Sequence, residues 1–153
     1  MILEEIAAVA QWHNVRFLLE GLWVTLRISV LTIFFSTILG TILGIMRYSG
    51  HWLLGRAAAV YIEAFRSSPL ILLILLFRFT VPIKPVNSGT LAMTLFTAAV
   101  VAEIIRGGLN SVDRGQWEAA RSQGFTWIQT LRYIVLPQAF RKMIPPLAGQ
   151  YIS

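Results

Sequence analysis

The sequence contains no cysteine among its 153 residues. A disulfide framework and any cysteine-ligated metal centre are therefore excluded. Histidine is nearly missing too. His13 and His51 stand alone, without metal-ligand spacing, and read as interfacial residues. Charge is scarce: Asp, Glu, Lys and Arg together make up 13% of the chain, where a soluble domain carries about 25%. Acids are scarcest, at seven against 13 basic residues, which leaves a net charge of +6. No G-x-x-x-x-G-K-[ST] occurs, so ATP is not bound here by a P-loop. No Ser/His/Asp arrangement is recognisable. The expectation is no catalytic residue, no metal and no cofactor. Glu4 and Glu5 precede the first basic residue, the wrong charge for a secretory signal peptide. No basic run is interleaved with aromatics, so nucleic acid is not an expected partner. No internal repeat, low-complexity linker or second domain is visible.

What the chain has in abundance is apolar surface: 56% of its residues, with a mean hydropathy of +0.68. That composition points to membrane lipid as the surroundings. Leu22 to Met46 is 25 residues with one charge, Arg27. As a helix it is roughly 37 Å long, enough to cross a hydrocarbon core of about 30 Å. Ser36, Gly40 and Gly44 recur every four residues along it, a small-residue face on which a neighbouring helix can pack closely. A third span is expected from about Ser88 to Ile105, with its own stripe of Thr94, Ala98 and Ala102. Glu103 and Arg106 can pair at its end, and Gly107-Gly108 is expected to terminate it. A fourth span is expected to start near Pro145-Pro146.

The second span is irregular. Leu70 to Val81 measures only about 18 Å as a helix, too short to cross alone. The helix must begin upstream, through Tyr61 to Pro69. Pro69 is either the first residue of a helix capped by Ser68 or a kink within a longer one. Irregular backbone at membrane depth is tolerated only where it faces protein or water. Arg66, Ser67, Ser68 and Pro69, with Arg78, Thr94 and Glu103, are therefore candidate lining of a pathway. The alternative is an interfacial elbow with Arg66 and Glu63 among the headgroups.

Basic residues set the orientation. Nine of the 13 fall between spans one and two or after span three; Arg16, Arg27, Arg78 and Lys84 fall on the other side, with Glu4, Glu5 and Glu20. The N-terminus is expected outside, and the residues after span three inside. Those residues are polar and punctuated by glycine. Ser111 or Asp113 can cap a helix of about three turns, and Gly124 suits the left-handed position past its end. Thr126 and Gln129 form a T-x-x-Q capping box for a second helix, which Pro137 is expected to end or kink. Small Ala119 and Ala120 permit another backbone to approach, and Glu118 offers it a carboxylate.

The pattern Glu118-Ala119-Ala120, three residues, Gly124, nine residues, Ile134-x-Leu136-Pro137 resembles the cytoplasmic coupling loop of ABC importer permeases. The likeness continues elsewhere. Gly21-Leu22-Trp23-Val24-Thr25-Leu26, Tyr61-x-Glu63-x-Phe65-Arg66 followed by Pro69-Leu70, Ala102-Glu103-x-x-Arg106-Gly107-Gly108, and Gly115-Gln116-x-Glu118-Ala119-Ala120 resemble the polar amino-acid subgroup (histidine, glutamine, glutamate, arginine and opine importers). Ser67-Ser68 departs from the Gly-Thr usual there, and Arg78 from an uncharged residue. The resemblance implies an all-α polytopic transmembrane bundle of the type I importer permease kind, in the inner membrane of a prokaryote. It divides the chain into an N-terminal periplasmic or interfacial segment, 1–20, and a permease domain, 21–153, with a coupling loop at about 107–137. The domain is expected to be incomplete at its C-terminus. The implied function is the membrane pathway for a polar amino acid, driven by a separate ATPase. The implied partners are ATPase subunits, a second permease subunit (identical or a sister) and an extracytoplasmic solute-binding protein. Coupling would run through Glu118, Ala119, Ala120, Gly124, Ile134, Leu136 and Pro137. A channel-like subunit, a membrane-embedded enzyme or a permease for another solute class are the alternatives.

Overall fold

The structure, a computed structural model, describes residues 12–152. Glu4, Glu5 and the outward placement of Met1 lie outside the described residues. Among the described residues all regular structure is helical: α1 (Trp12–Tyr48), α2 (Trp52–Ser67), α3 (Leu70–Thr80), α4 (Pro85–Asn110), α5 (Arg114–Ser122), α6 (Trp127–Thr130), a π-helical turn at Leu131–Val135, and α7 (Leu136–Ile152). The α1 and α4 helices are each long and apolar enough to cross a membrane, and α2 with α3 passes the same test only when the bent pair is taken as one span. The all-α membrane bundle that the resemblance implies is the observed fold.

Both long helices exceed their expected bounds. The first was expected over Leu22–Met46 and starts at Trp12, so residues 12–20 are continuous with it. The second runs through Gly107-Gly108 to Asn110 instead of stopping there. Glycine weakens a helix without ending it, and here Gly108 is needed for contact. A Cβ on it would overlap the Met143 side chain of α7.

The two small-residue stripes meet each other. Thr32, Ser36, Gly40 and Gly44 of α1 are all buried, against Thr94, Ala98 and Ala102 of α4, also buried. A Cβ on Gly40 would lie 2.7 Å from Val101 Cβ and 2.8 Å from the Ala98 carbonyl; one on Gly44 would lie 2.8 Å from the Ala102 carbonyl. Lipid is as apolar as a leucine side chain, so hydrophobicity does not drive this association. Close backbone approach does, through dispersion contacts that larger residues would prevent.

The same contacts fix topology. Gly40 faces Ala98 and Gly44 faces Ala102, while Arg27 shares a cavity wall with Lys84. Residue number rises together on the two helices, so they run parallel. Parallel neighbours require a return crossing, and the intervening α2–α3 pair makes it. Its two axes differ by 102°. The break follows from Pro69, which disfavours helical geometry in the residue before it: Ser68 is extended, at φ −92° and ψ 133°. Of the two readings of Pro69, the bend is the one observed; the Ser68 hydroxyl does not cap α3 but donates to the Ala64 carbonyl at 2.9 Å. The α2 helix presents Ala58 and Ile62 to Leu43 and Ala102, and the Tyr61 hydroxyl donates to the Leu95 carbonyl at 2.9 Å. Finally α7 climbs back along the bundle, with Met143 against Gly108 and Tyr151 Oη 2.5 Å from Thr37 Oγ1. The Pro145-Pro146 pair, expected near the start of a fourth span, lies inside α7.

Candidate functional site

The polar segment after α4 folds as a helical hairpin. At its start Asp113, not Ser111, is the cap: its carboxylate accepts from the Gly115 N–H at 2.6 Å. The Ser111 hydroxyl donates backwards to the Gly108 carbonyl at 2.7 Å. The α5 helix has nine residues, about two and a half turns rather than three. It closes with paired backbone bonds, Gly124 N–H to the Arg121 carbonyl and Phe125 N–H to the Ala120 carbonyl, both 3.0 Å. That is a Schellman closure, which demands a left-handed residue between the bonds. Gly124 supplies it at φ +80°. The capping box then starts α6: Thr126 N–H donates to Gln129 Oε1 at 2.8 Å, and Gln129 N–H to Thr126 Oγ1 at 3.3 Å.

Pro137 does not end the second helix. Leu136 keeps helical angles, φ −57° and ψ −46°, and the chain runs on into α7. Proline in a helix lacks a donor and crowds the carbonyl four residues back. The π-turn over Leu131–Val135 widens the coil there, with Leu136 N–H bonded to the Leu131 carbonyl.

The hairpin is mounted on the bundle from below. Val112, Ala120, Thr130 and Val135 are buried. Val112 and Val135 join a cluster with Ile105, Leu109, Ala139 and Met143, and Trp117 packs on it. Trp117 and Trp127 bring their rings to 6.2 Å between centroids, which ties α5 to α6. Two long-range bonds that sequence reading missed complete the mount. Lys142 Nζ donates to the Ser111 carbonyl at 2.5 Å, placing a cation on the negative end of the α4 dipole. Gln138 Nε2 donates to Gln116 Oε1 at 3.1 Å.

The outer face is left open. Glu118, Ala119 and Gly124 are exposed, and so is Pro137; Ile134 and Leu136 are half-buried, and Ala120 is buried within the mount. Among the described residues the Glu118 carboxylate has no ion pair or hydrogen bond. Arg121 and Arg114, the two cations within helical reach of it, are both unpaired with it.

Of the pathway candidates, the fold gathers two. The Glu103 carboxylate accepts from Arg106 at 2.7 and 3.1 Å and faces Arg66 at 3.8 Å. Arg47 pairs with Glu63 across α1 and α2 at 3.4 Å. Ser67, Ser68 and Pro69 sit beside Arg66 at the bend. Thr94 lies apart, in the α1–α4 seam, its hydroxyl donating to the Thr90 carbonyl at 2.7 Å. Arg78 lies in the last turn of α3, with no partner among the described residues. Among the described residues no three His, Asp or Glu side chains converge as metal ligands would.

Residues 25–153 match the family of binding-protein-dependent transport system inner membrane components. A probable glutamine ABC transporter permease of Bacillus subtilis is 41% identical, over 97% of this chain and 70% of the relative. A glutamate/aspartate import permease of Escherichia coli O157:H7 is 39% identical, over 89% of this chain and 66% of the relative. Among solved structures, an amino acid ABC transporter with histidines superposes with a TM-score of 0.83 at 33% identity, covering 92% of this chain and 68% of that one. The methionine ABC transporter MetNI in an inward-facing conformation gives 0.74 at 25% identity, covering 93% and 71%. The chain thus spans about two thirds of the length of the proteins it matches.

Proposed function

Because the chain belongs to the family of binding-protein-dependent transport system inner membrane components, we propose that the solute it passes is a polar amino acid and that the α5–Gly124–α6 hairpin is its ATPase-docking surface. The chain is a multi-pass permease subunit of an inner membrane; it is not itself an enzyme, since ATP hydrolysis belongs to a separate subunit. The relatives named for glutamine and for glutamate/aspartate support the solute class. A second permease subunit, identical or a sister, and a solute-binding protein complete the assembly we propose.

One observation carries the docking assignment: an unpartnered Glu118 beside small Ala119, on a helix whose other face is packed to the bundle. A carboxylate left free among unpaired cations is available to a basic group on another protein. Glu118, Ala119 and Gly124 form the contact surface; Ala120, Ile134, Leu136 and Pro137 hold it in place. ATP binding in the partner would shift the hairpin, and through the Met143–Gly108 contact it would shift α4. The two access states must then differ in their contacts with the ATPase, since only differential affinity moves such an equilibrium. Arg66, Ser67, Ser68 and Pro69 with Glu103 are proposed to line the solute path at the α2–α3 bend, with Arg78 further along it; Thr94, buried in the α1–α4 seam with its hydroxyl held by its own helix, is left out of it.

The assignment requires the hairpin to face the cytoplasm, with Met1 outside. A single cysteine at Ser111, in a chain otherwise free of cysteine, tests it. Membrane-impermeant thiol reagents are expected to label it only after the cells are permeabilised. Labelling in intact cells would reverse the orientation and remove the docking assignment.

A further inference from the structure

Opposite the hairpin, two cavities adjoin along the groove between α1 and α4. The outer one, of ≈ 520 Å³, is walled by Trp23 and Arg27 of α1 and by Lys84 and Asn87 at the start of α4. The inner one, also ≈ 520 Å³, shares Asn87 and continues over Leu31, Phe35, Ile38, Ile42 and Leu91. Its two threonines add no polarity. The Thr90 hydroxyl donates to the Val86 carbonyl at 2.8 Å and that of Thr94 to Thr90 at 2.7 Å, so both hydroxyls are spent on their own helix. Leu31 to Ile42 spans roughly 16 Å along the helix, about one leaflet of a 30 Å hydrocarbon core. At the head of the groove, Arg27 and Lys84 have no acidic partner among the described residues. Glu20, the nearest acid along α1, is paired with Arg16 at 2.9 Å. Two cations without an acidic partner among the described residues, with a tryptophan beside them, stand at one end of an apolar trough about one leaflet long.

We propose that this groove binds one anionic phospholipid, its phosphate between Arg27 and Lys84 and one acyl chain along Leu31 to Ile42. The shape argues against a polar amino acid as occupant, because the inner cavity offers it no free donor or charge except at Asn87. It also needs only that the chain crosses a membrane, so it stands apart from the docking and solute assignments above.

Lipid retention by the purified full-length permease, in complex with its partner subunits, tests the proposal by native mass spectrometry. Phosphatidylglycerol and phosphatidylcholine are the probes. Phosphatidylglycerol is expected to be retained at several-fold lower concentration than phosphatidylcholine. Arg27→Gln and Lys84→Gln should each weaken phosphatidylglycerol by about fivefold, and the double variant should lose the preference. Ile38→Trp, which fills the trough, should weaken both lipids alike. Equal retention of the two lipids by the unaltered protein, or a preference surviving in the double variant, overturns the proposal. So does efficient oxidative cross-linking of Ile38→Cys to another copy of the chain, which would mean that protein covers the groove.

Discussion

Small residues serve two regions of this molecule, with opposite results. In the α1–α4 seam, Gly40, Gly44, Ala98 and Ala102 are already occupied, each in contact with the facing backbone or side chains. At the hairpin, Ala119 and Gly124 are exposed, and among the described residues nothing lies within 4 Å of a Cβ placed on Gly124. The seam carries no charge that needs a partner. The hairpin displays one, Glu118, that has none. Space filled from within serves folding; space left open next to an unpaired charge is what the proposed docking role requires. Exposure alone does not single out this face, since most of α1 is exposed as well.

The largest effect is expected where the hairpin's open charge would be closed by a partner. Glu118→Gln keeps shape and removes charge. If Glu118 is buried against a basic group of the ATPase, its loss costs about 2–5 kcal/mol, tenfold or more in affinity. A role confined to pairing along its own helix would cost about 0.2–0.5 kcal/mol. Titrating the ATPase subunit against both forms in detergent separates these, and equal affinities would return Glu118 to a solvated face. Next comes the seam. Gly40→Leu places a Cβ within 2.7 Å of Val101 and is expected to cost about 1–3 kcal/mol or more by overpacking. Gly89→Leu, with nothing within 4 Å, is its control on the facing helix. Thermal unfolding of the two variants should differ clearly, and similar midpoints would mean that the seam is not closed. The smallest effect is local. Gly124→Val forces a β-branched residue to φ +80°, at a cost of about 1–2 kcal/mol. Membrane insertion should be intact while solute uptake by the full-length permease falls; unchanged uptake would show that the turn tolerates strain without moving Glu118.

Several local signals read from sequence held, while Gly107-Gly108 and Ser68 did not act as their spacing suggested. The Thr126–Gln129 box, the left-handed Gly124 and the Glu103–Arg106 pair all form as their spacing predicts. Both small-residue stripes were legible, but not that each is the other's partner, nor that the first starts at Thr32. Such pairing depends on how the intervening chain returns. Proline shows the limit best. Pro69 and Pro137 carry the same expectation of a broken helix. At Pro69 the preceding residue turns extended and the axis swings by 102°. At Pro137 the preceding residue stays helical because a π-turn takes up the crowding, and Val135, buried in the cluster beneath the hairpin, holds that turn in place. Tertiary packing decides between the two outcomes, and no local window contains it. The same holds for Lys142 on the Ser111 carbonyl, 31 residues away.

The parallel seam also shapes how this chain is free to diverge. Along α1, Phe17, Leu22, Trp23, Val30, Phe34 and Ile45 are all more than half exposed and face solvent or lipid instead of the protein. Lipid accepts any of several apolar side chains at such positions. Gly40 and Gly44 have no such latitude, because a Cβ on either would meet α4, and Thr32 and Ser36 are buried on the same stripe. Drift in this helix is therefore channelled: its outward stripe can turn over freely from lineage to lineage, while one narrow stripe of small residues must stay small. Two permeases could share little of this helix letter by letter and still seat it in the same groove.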